Sequence, residues 1–209
     1  MSVLCGDARR VSSVPTRRRF LAGMTGAAGS LLVGANVLAA QPATAAPAEA
    51  RLKKGTRIEI EGDPQALIQK AYDLGHRYEG KYGNCCQCTL AALQDALPFV
   101  PNDVNLFRAG CGLDGGSTPV GIQNCGGFTG SAMVMGYLTG RWRNENGFVG
   151  GTGLVHHLTH RLYVRFKEHY GTVLCKDVRK GVGGDCPEAV GRAARWTAEI
   201  LLEEFGPPS

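Results

Sequence analysis

The sequence predicts an all-α protein, a compact bundle of about five helices with a glycine-rich loop. Three observations predict it. Apolar residues recur at three- and four-residue spacing over several segments, polar capping residues precede those segments, and only one short alternating stretch, 56–60, resembles a strand.

Asp63-Pro64 opens the first helix, an N-capping acid followed by a proline whose missing N–H costs nothing in the first turn. Leu67, Ala71, Leu74 and Tyr78 then share a face, and Gly83 marks the end. His76 falls on the opposite, solvated side. A second helix begins at Asn84, with Gln87 placed to complete a capping box, and breaks at Pro98. The third runs from Asn124 to about Leu138. Gly127, Gly130 and Gly136 weaken it relative to alanine, which predicts a neighbour packed very close to its backbone. Leu154, Leu158, Leu162 and Phe166 define the fourth, closed at Gly171, and the last spans 187–205.

At 209 residues, with 44% apolar and 20% charged composition, the chain has room for one globular domain behind a leader. Residues 1–45 read as a twin-arginine signal peptide. Arg17 and Arg18 are the pair, Phe20-Leu21 follow, a Gly- and Ala-rich apolar run extends to Ala40, and Ala43-Thr44-Ala45 offers a cleavage site. Residues 46–62 read as a polar tether and 63–209 as the helical domain. The expected location is periplasmic or otherwise exported, and no transmembrane segment is expected in the mature chain. The net charge of +5 is concentrated in the leader, which carries five of the 23 basic groups and one of the 18 acids. The remainder is within one charge of neutral, so nucleic acid is not an expected partner.

Residues 110–127 contain seven glycines, but no strand precedes them and no Gly-Lys-Ser/Thr ending follows. They therefore do not read as a phosphate-binding loop.

The cysteines carry most of the functional information. Of eight, Cys5 lies in the leader, leaving Cys85, Cys86, Cys88, Cys111, Cys125, Cys175 and Cys186. Seven is odd, so a disulfide framework leaves one thiol over. Cys85, Cys125 and Cys186 each fall at a predicted helix start, where free N–H groups and the positive dipole end favour thiolate, the form needed for metal ligation or redox exchange. Cys175 follows the fourth helix. A bundle is able to bring these ends together. Cys85-Cys86-Gln87-Cys88 contains a C-x-x-C, but Thr89 stands where covalent haem attachment needs histidine, so no c-type haem is expected. His156 and His160 have metal-pair spacing but lie opposite the apolar stripe and read as solvated. His169 falls on the apolar side near the end of the fourth helix and reads first as a hydrogen-bonded core residue, with a proton donor near Cys175 as the alternative. Arg161, Arg165, Lys167, Lys176, Arg179 and Lys180 gather around Cys175 in sequence, favouring either thiolate charge or an acidic partner.

Gly83-Asn84-Cys85-Cys86-Gln87, then Cys125-Gly126-Gly127-Phe128-Thr129-Gly130, then Tyr170-Gly171 with Cys175, then Cys186 before a terminal helix, resemble the redox-active family named for its C_GCAxxG_C_C pattern. The resemblance covers about residues 64–205. It implies that Cys85, Cys125, Cys175 and Cys186 form the shared set. It also implies kinship with the non-haem part of split-Soret cytochromes, whose cysteines are associated with an iron–sulfur cluster; four thiolates suit a 2Fe-2S or a 4Fe-4S centre. Gly127 stands where the family usually has Ala, and Cys86, Cys88 and Cys111 are additional thiols. The reading is an exported electron-transfer protein with an unidentified redox partner protein. Its alternatives are a metal-free thiol–disulfide redox protein, with Cys85 or Cys88 as the attacking thiol, and a disulfide- or zinc-stapled helical interaction module without catalysis.

Overall fold

The computed structural model describes residues 51–117 and 120–207. The twin-arginine pair, the proposed cleavage site and Cys5 lie outside them. The described residues form seven α-helices, more than the five expected, and one small hairpin: α1 (Pro64–Tyr82), α2 (Cys85–Ala96), α3 (Val104–Ala109), α4 (Gly126–Thr139), β1 (Trp142–Asn144), β2 (Gly147–Val149), α5 (Gly153–Tyr170), α6 (Cys175–Gly181) and α7 (Cys186–Phe205). The all-α class holds. None of these helices is long and apolar enough to cross a membrane.

α2 lies at the centre and is buried nearly all round, through Cys86, Leu90, Ala92, Leu93 and Ala96. α1 and α7 pack antiparallel beside it, with Gly75 against the Val190 carbonyl and Gly191 against the Tyr72 ring, small residues that let the two backbones approach. α4 and α5 close the other side through Val134, Met135, Leu138, Leu158, Leu162 and Phe166, all buried. Residues 51–62 are an extended strap and not a strand: Leu52 N–H donates to Leu138 O and Ile58 N–H to Phe205 O, tying the strap to the ends of α4 and α7.

The close approach expected from the α4 glycines occurs at two of the three. A Cβ on Gly130 would sit 2.6 Å from Cys86 O, and one on Gly127 would sit 2.9 Å from the Ala193 Cβ. At Gly136 the nearest atom is Val155 Cγ2 at 3.9 Å, ordinary contact. Gly136→Ala should therefore stabilise the protein by about 0.5–1 kcal/mol through helix propensity alone, seen as a higher urea midpoint.

The third helix begins later than expected. Cys125, not Asn124, is the N-cap of α4, because Asn124 is taken up in an antiparallel bridge with Leu174. Asn84 caps α2 as expected, its Oδ1 accepting from Gln87 N–H, but the box is not reciprocal: the Gln87 side chain donates to Phe107 O instead.

Candidate functional site

Four cysteines occupy four helix starts. Cys85, Cys175 and Cys186 are the first residues of α2, α6 and α7, and Cys125 caps α4. The chain brings two of them together through a short pairing: Cys125 N–H donates to Val173 O and Cys175 N–H to Gln123 O, both at 2.8 Å, on either side of the Asn124–Leu174 bridge. Side chains alternate along extended segments, so Cys125 and Cys175 emerge on the same face. The starts of α2 and α7 complete the group, with Cys85 packed beside Val190. All four cysteines line one cavity of about 20 Å3, with Val178, Arg179, Ala189 and Val190 as the other walls.

Gly126 permits this meeting. A Cβ there would overlap the Cys85 sulfur and lie 2.8 Å from the Cys86 amide nitrogen, so α4 can start against α2 only without a side chain. The glycine-rich loop folds over the same place. Gly116 takes φ +79°, a conformation that disfavours other residues, and a Cβ on it would stand 3.1 Å from the Cys175 Cβ.

The electrostatics differ from the expectation that helix starts would hold thiolates. Burial dominates and keeps the thiols protonated: Cys85 is pushed up to about 11, Cys86 and Cys88 to about 12, and Cys125 is also raised. Cys175 and Cys186 are raised as well, first by burial, with Arg179 pulling the other way. The N–H groups of Gly115 and Gly126 favour the Cys85 thiolate, and those of Gly127 and Phe128 the Cys125 thiolate, but neither pair overcomes desolvation. Unfolded thiols ionise near the ordinary value of 9.0 while these keep their protons. The metal-free protein should hold full stability below about pH 9 and lose it progressively as the pH rises toward the folded-state values of about 11 to 12, checked by urea midpoints across that window.

The three additional thiols lie off the cavity. Cys86 packs in the core against Met133 Sδ at 3.8 Å. The Cys88 thiol is buried and donates to Gly83 O at 2.9 Å. Cys111 is exposed. All seven described cysteines are free thiols.

A C_GCAxxG_C_C family model, described as "Putative redox-active protein", matches residues 83–200, a span that contains all seven of these thiols. The chain belongs to this family. No curated protein and no solved structure matches it. In this C_GCAxxG_C_C chain the four cysteines that the sequence resemblance implied as the shared set line one cavity together.

Of the basic cluster expected near Cys175, Arg179 alone lines the cavity. Arg161 pairs with Glu203 and Glu204, Arg165 with Glu199, and Lys167 donates to Gly171 O. His156 and His160 are exposed, as read from the periodicity. His169 is not a core residue: it is exposed, set against Arg192 and the Tyr170 ring. Two groups that sequence patterning did not reveal stand out. Glu79 Oε2 and Tyr170 Oη are buried without a hydrogen-bond partner. The Glu79 charge disfavours ionisation of Cys85, Cys88, Cys175 and Cys186. Nothing in the one-dimensional pattern marks Glu79, and Tyr170 enters the sequence reading only through the Tyr170-Gly171 element of the resemblance, not through its hydroxyl.

The donor chemistry fits a soft, thiophilic metal: four uncommitted thiols line one cavity, and nearby N–H groups favour the thiolate form of two of them. As the side chains stand, no three His, Cys, Asp or Glu groups among the described residues have ion-binding spacing. Binding therefore requires the thiols to turn inward from their present rotamers and release their protons.

Proposed function

We propose that this protein carries electrons through an iron–sulfur centre held by Cys85, Cys125, Cys175 and Cys186, after export through the twin-arginine route, and exchanges them with a separate redox protein. The observation that carries the reading is the gathering of four thiols from four helix starts around one cavity. Such a centre supplies reversible one-electron transfer when bound, over a wide range of potentials set by its surroundings. The protein's own part is to hold the four sulfurs, to favour thiolate at two of them through nearby N–H groups of Gly115, Gly126, Gly127 and Phe128, to place Arg179 beside the site, and to cover it with the glycine-rich loop. N–H donors and a cation stabilise the thiolate charge that burial opposes. Among the described residues the cavity is lined by the four cysteines with Val178, Arg179, Ala189 and Val190, a set that favours electron carriage over turnover of a small substrate.

Iron and acid-labile sulfide, measured on anaerobically purified protein expressed with its leader, test the reading. Both are expected in comparable amounts, with visible absorption that dithionite bleaches. A single zinc ion is the second reading, favoured by the small free volume of about 20 Å3; zinc without visible colour would establish it and overturn the first. Metal-free thiol exchange has less support, since Cys85 and Cys88 are both buried and both raised well above the ordinary thiol range.

A further inference from the structure

Positive charge gathers at one end of the fold. Lys53 and Lys54 of the strap and Arg141 and Arg143 of the hairpin are exposed. Arg51 joins the two segments: its guanidinium donates to Gly151 O at 2.8 Å and lies 5.4 Å from the Trp142 ring centre, while the next residue, Leu52, is tied to Leu138 O. Residues 51–54 and 139–151 together carry these five cations and one acid, Glu145, in a chain that beyond its leader is within one charge of neutral. Among the described residues none of the five pairs with a carboxylate.

The hairpin adds an aromatic tip to this patch. Arg143 stands opposite Phe148 across the strand pair, so the two side chains share a face, and Arg141, two residues earlier, falls on the same one. The Arg141 guanidinium lies over the Phe148 ring, 5.1 Å from its centre. Trp142 and Val149 take the other face and are half-buried. Phe148 is 72% exposed, more than any other large apolar side chain described. An aromatic ring held out beside two arginines, on a hairpin that packs mainly on itself, has the amphipathic form of an interfacial anchor: the ring enters the headgroup layer and the cations stay with the phosphates.

The position of the patch decides between partners. It lies at the C-terminal end of α4, whose other end Cys125 caps, about 20 Å away for a helix of 14 residues. A redox protein docked on the patch would sit far from the cysteines. A membrane surface bound there leaves the cysteine end clear for exchange.

We propose that the strap and hairpin end is a docking surface for an anionic phospholipid bilayer, with Phe148 entering the headgroup layer and Lys53, Lys54, Arg141 and Arg143 meeting the lipid phosphates. The surface is independent of what the cysteine cavity holds.

A reporter on the hairpin tests this in the full chain. Phe148→Trp is mixed with vesicles of phosphatidylglycerol and phosphatidylcholine whose acyl chains carry bromine, with the wild-type chain setting the background from its own tryptophans. Bromine quenches only on contact, so the reporter answers for the hairpin whatever the leader does. Quenching is expected on the anionic vesicles and not on phosphatidylcholine alone. Adding Arg141→Gln and Arg143→Gln should raise the lipid concentration for half-quenching by at least about tenfold, since each cation at such a surface contributes about fivefold. Lys70→Gln with Lys81→Gln, exposed on α1 and equal in charge change, should leave it unmoved. An unquenched reporter on anionic vesicles, equal quenching on neutral ones, or an equal loss from the α1 pair would each overturn the proposal. Binding of polyglutamate that the arginine variant loses, with no quenching by vesicles, would assign the patch to an acidic protein and overturn it as well.

Discussion

Cys125→Ser is expected to lower bound iron and sulfide to below about a tenth of the wild-type content, with the fold intact. Losing an outer-shell partner alone costs about 10–100-fold in metal affinity, and losing a ligand should cost at least as much. Position 125 separates ligation from folding unusually well. The residue caps α4, with its side chain next to the N–H groups of Gly127 and Phe128. Serine is among the best N-capping residues, accepting from those same positions in a helix. The metal-free variant should therefore melt within a few degrees of wild type while its metal content collapses. Cys111→Ser supplies the comparison, because that thiol is exposed and away from the cavity, and its metal content should be unchanged. Elemental analysis and thermal melts on both variants check the pair.

Gly126→Ala is expected to damage both fold and site. The new methyl would overlap the Cys85 sulfur, and the neighbouring obstacle is the Cys86 backbone, which no side-chain rotation relieves. α4 and α2 must separate at the point where two of the four cysteines meet. Overpacking of this kind costs about 1–3 kcal/mol, more than the roughly 1 kcal/mol that alanine returns over glycine in a helix. The urea midpoint should fall and metal content should fall with it. In Gly136→Ala, ten residues along the same helix, the propensity term acts without the clash and the sign reverses.

These contrasts show where the sequence is informative. Helices with local signals are legible at their ends: Asp63-Pro64 and Gly83 bound α1, Asn84 opens α2, Gly171 closes α5, and the structure places their ends there. α3 is six residues long, too short for a 3.6-residue period to register, although Asp103 caps it through Asn105 and Leu106 N–H. The hairpin carries an Asn146-Gly147 signal at its turn, but each strand is only three residues long, and so neither offers enough alternation to read. Residues 175–181 become α6 because the preceding segment pairs with 123–125, a non-local contact that no local pattern contains.

The site divides in the same way. That cysteines stand at helix starts is a local property, and it pointed to three of the four residues that line the cavity; Cys175 entered through the family resemblance, since the helix it opens has no local signal. Their protonation is not local. Dipole and N–H groups predicted thiolates, whereas enclosure among the starts of α2, α4, α6 and α7 raises every one of the four. Desolvation opposes the thiolate form, so a metal held there, as proposed, would supply the charge that the helix ends do not.

Native mass spectrometry of anaerobically isolated protein addresses the central claim most directly, because it reads the contents of the cysteine centre without assuming them. The expected result is the chain carrying the mass of one iron–sulfur centre, lost from the Cys125→Ser variant and kept in Cys111→Ser. A bare chain, whether fully reduced or lighter by the hydrogens given up to disulfides, would contradict it.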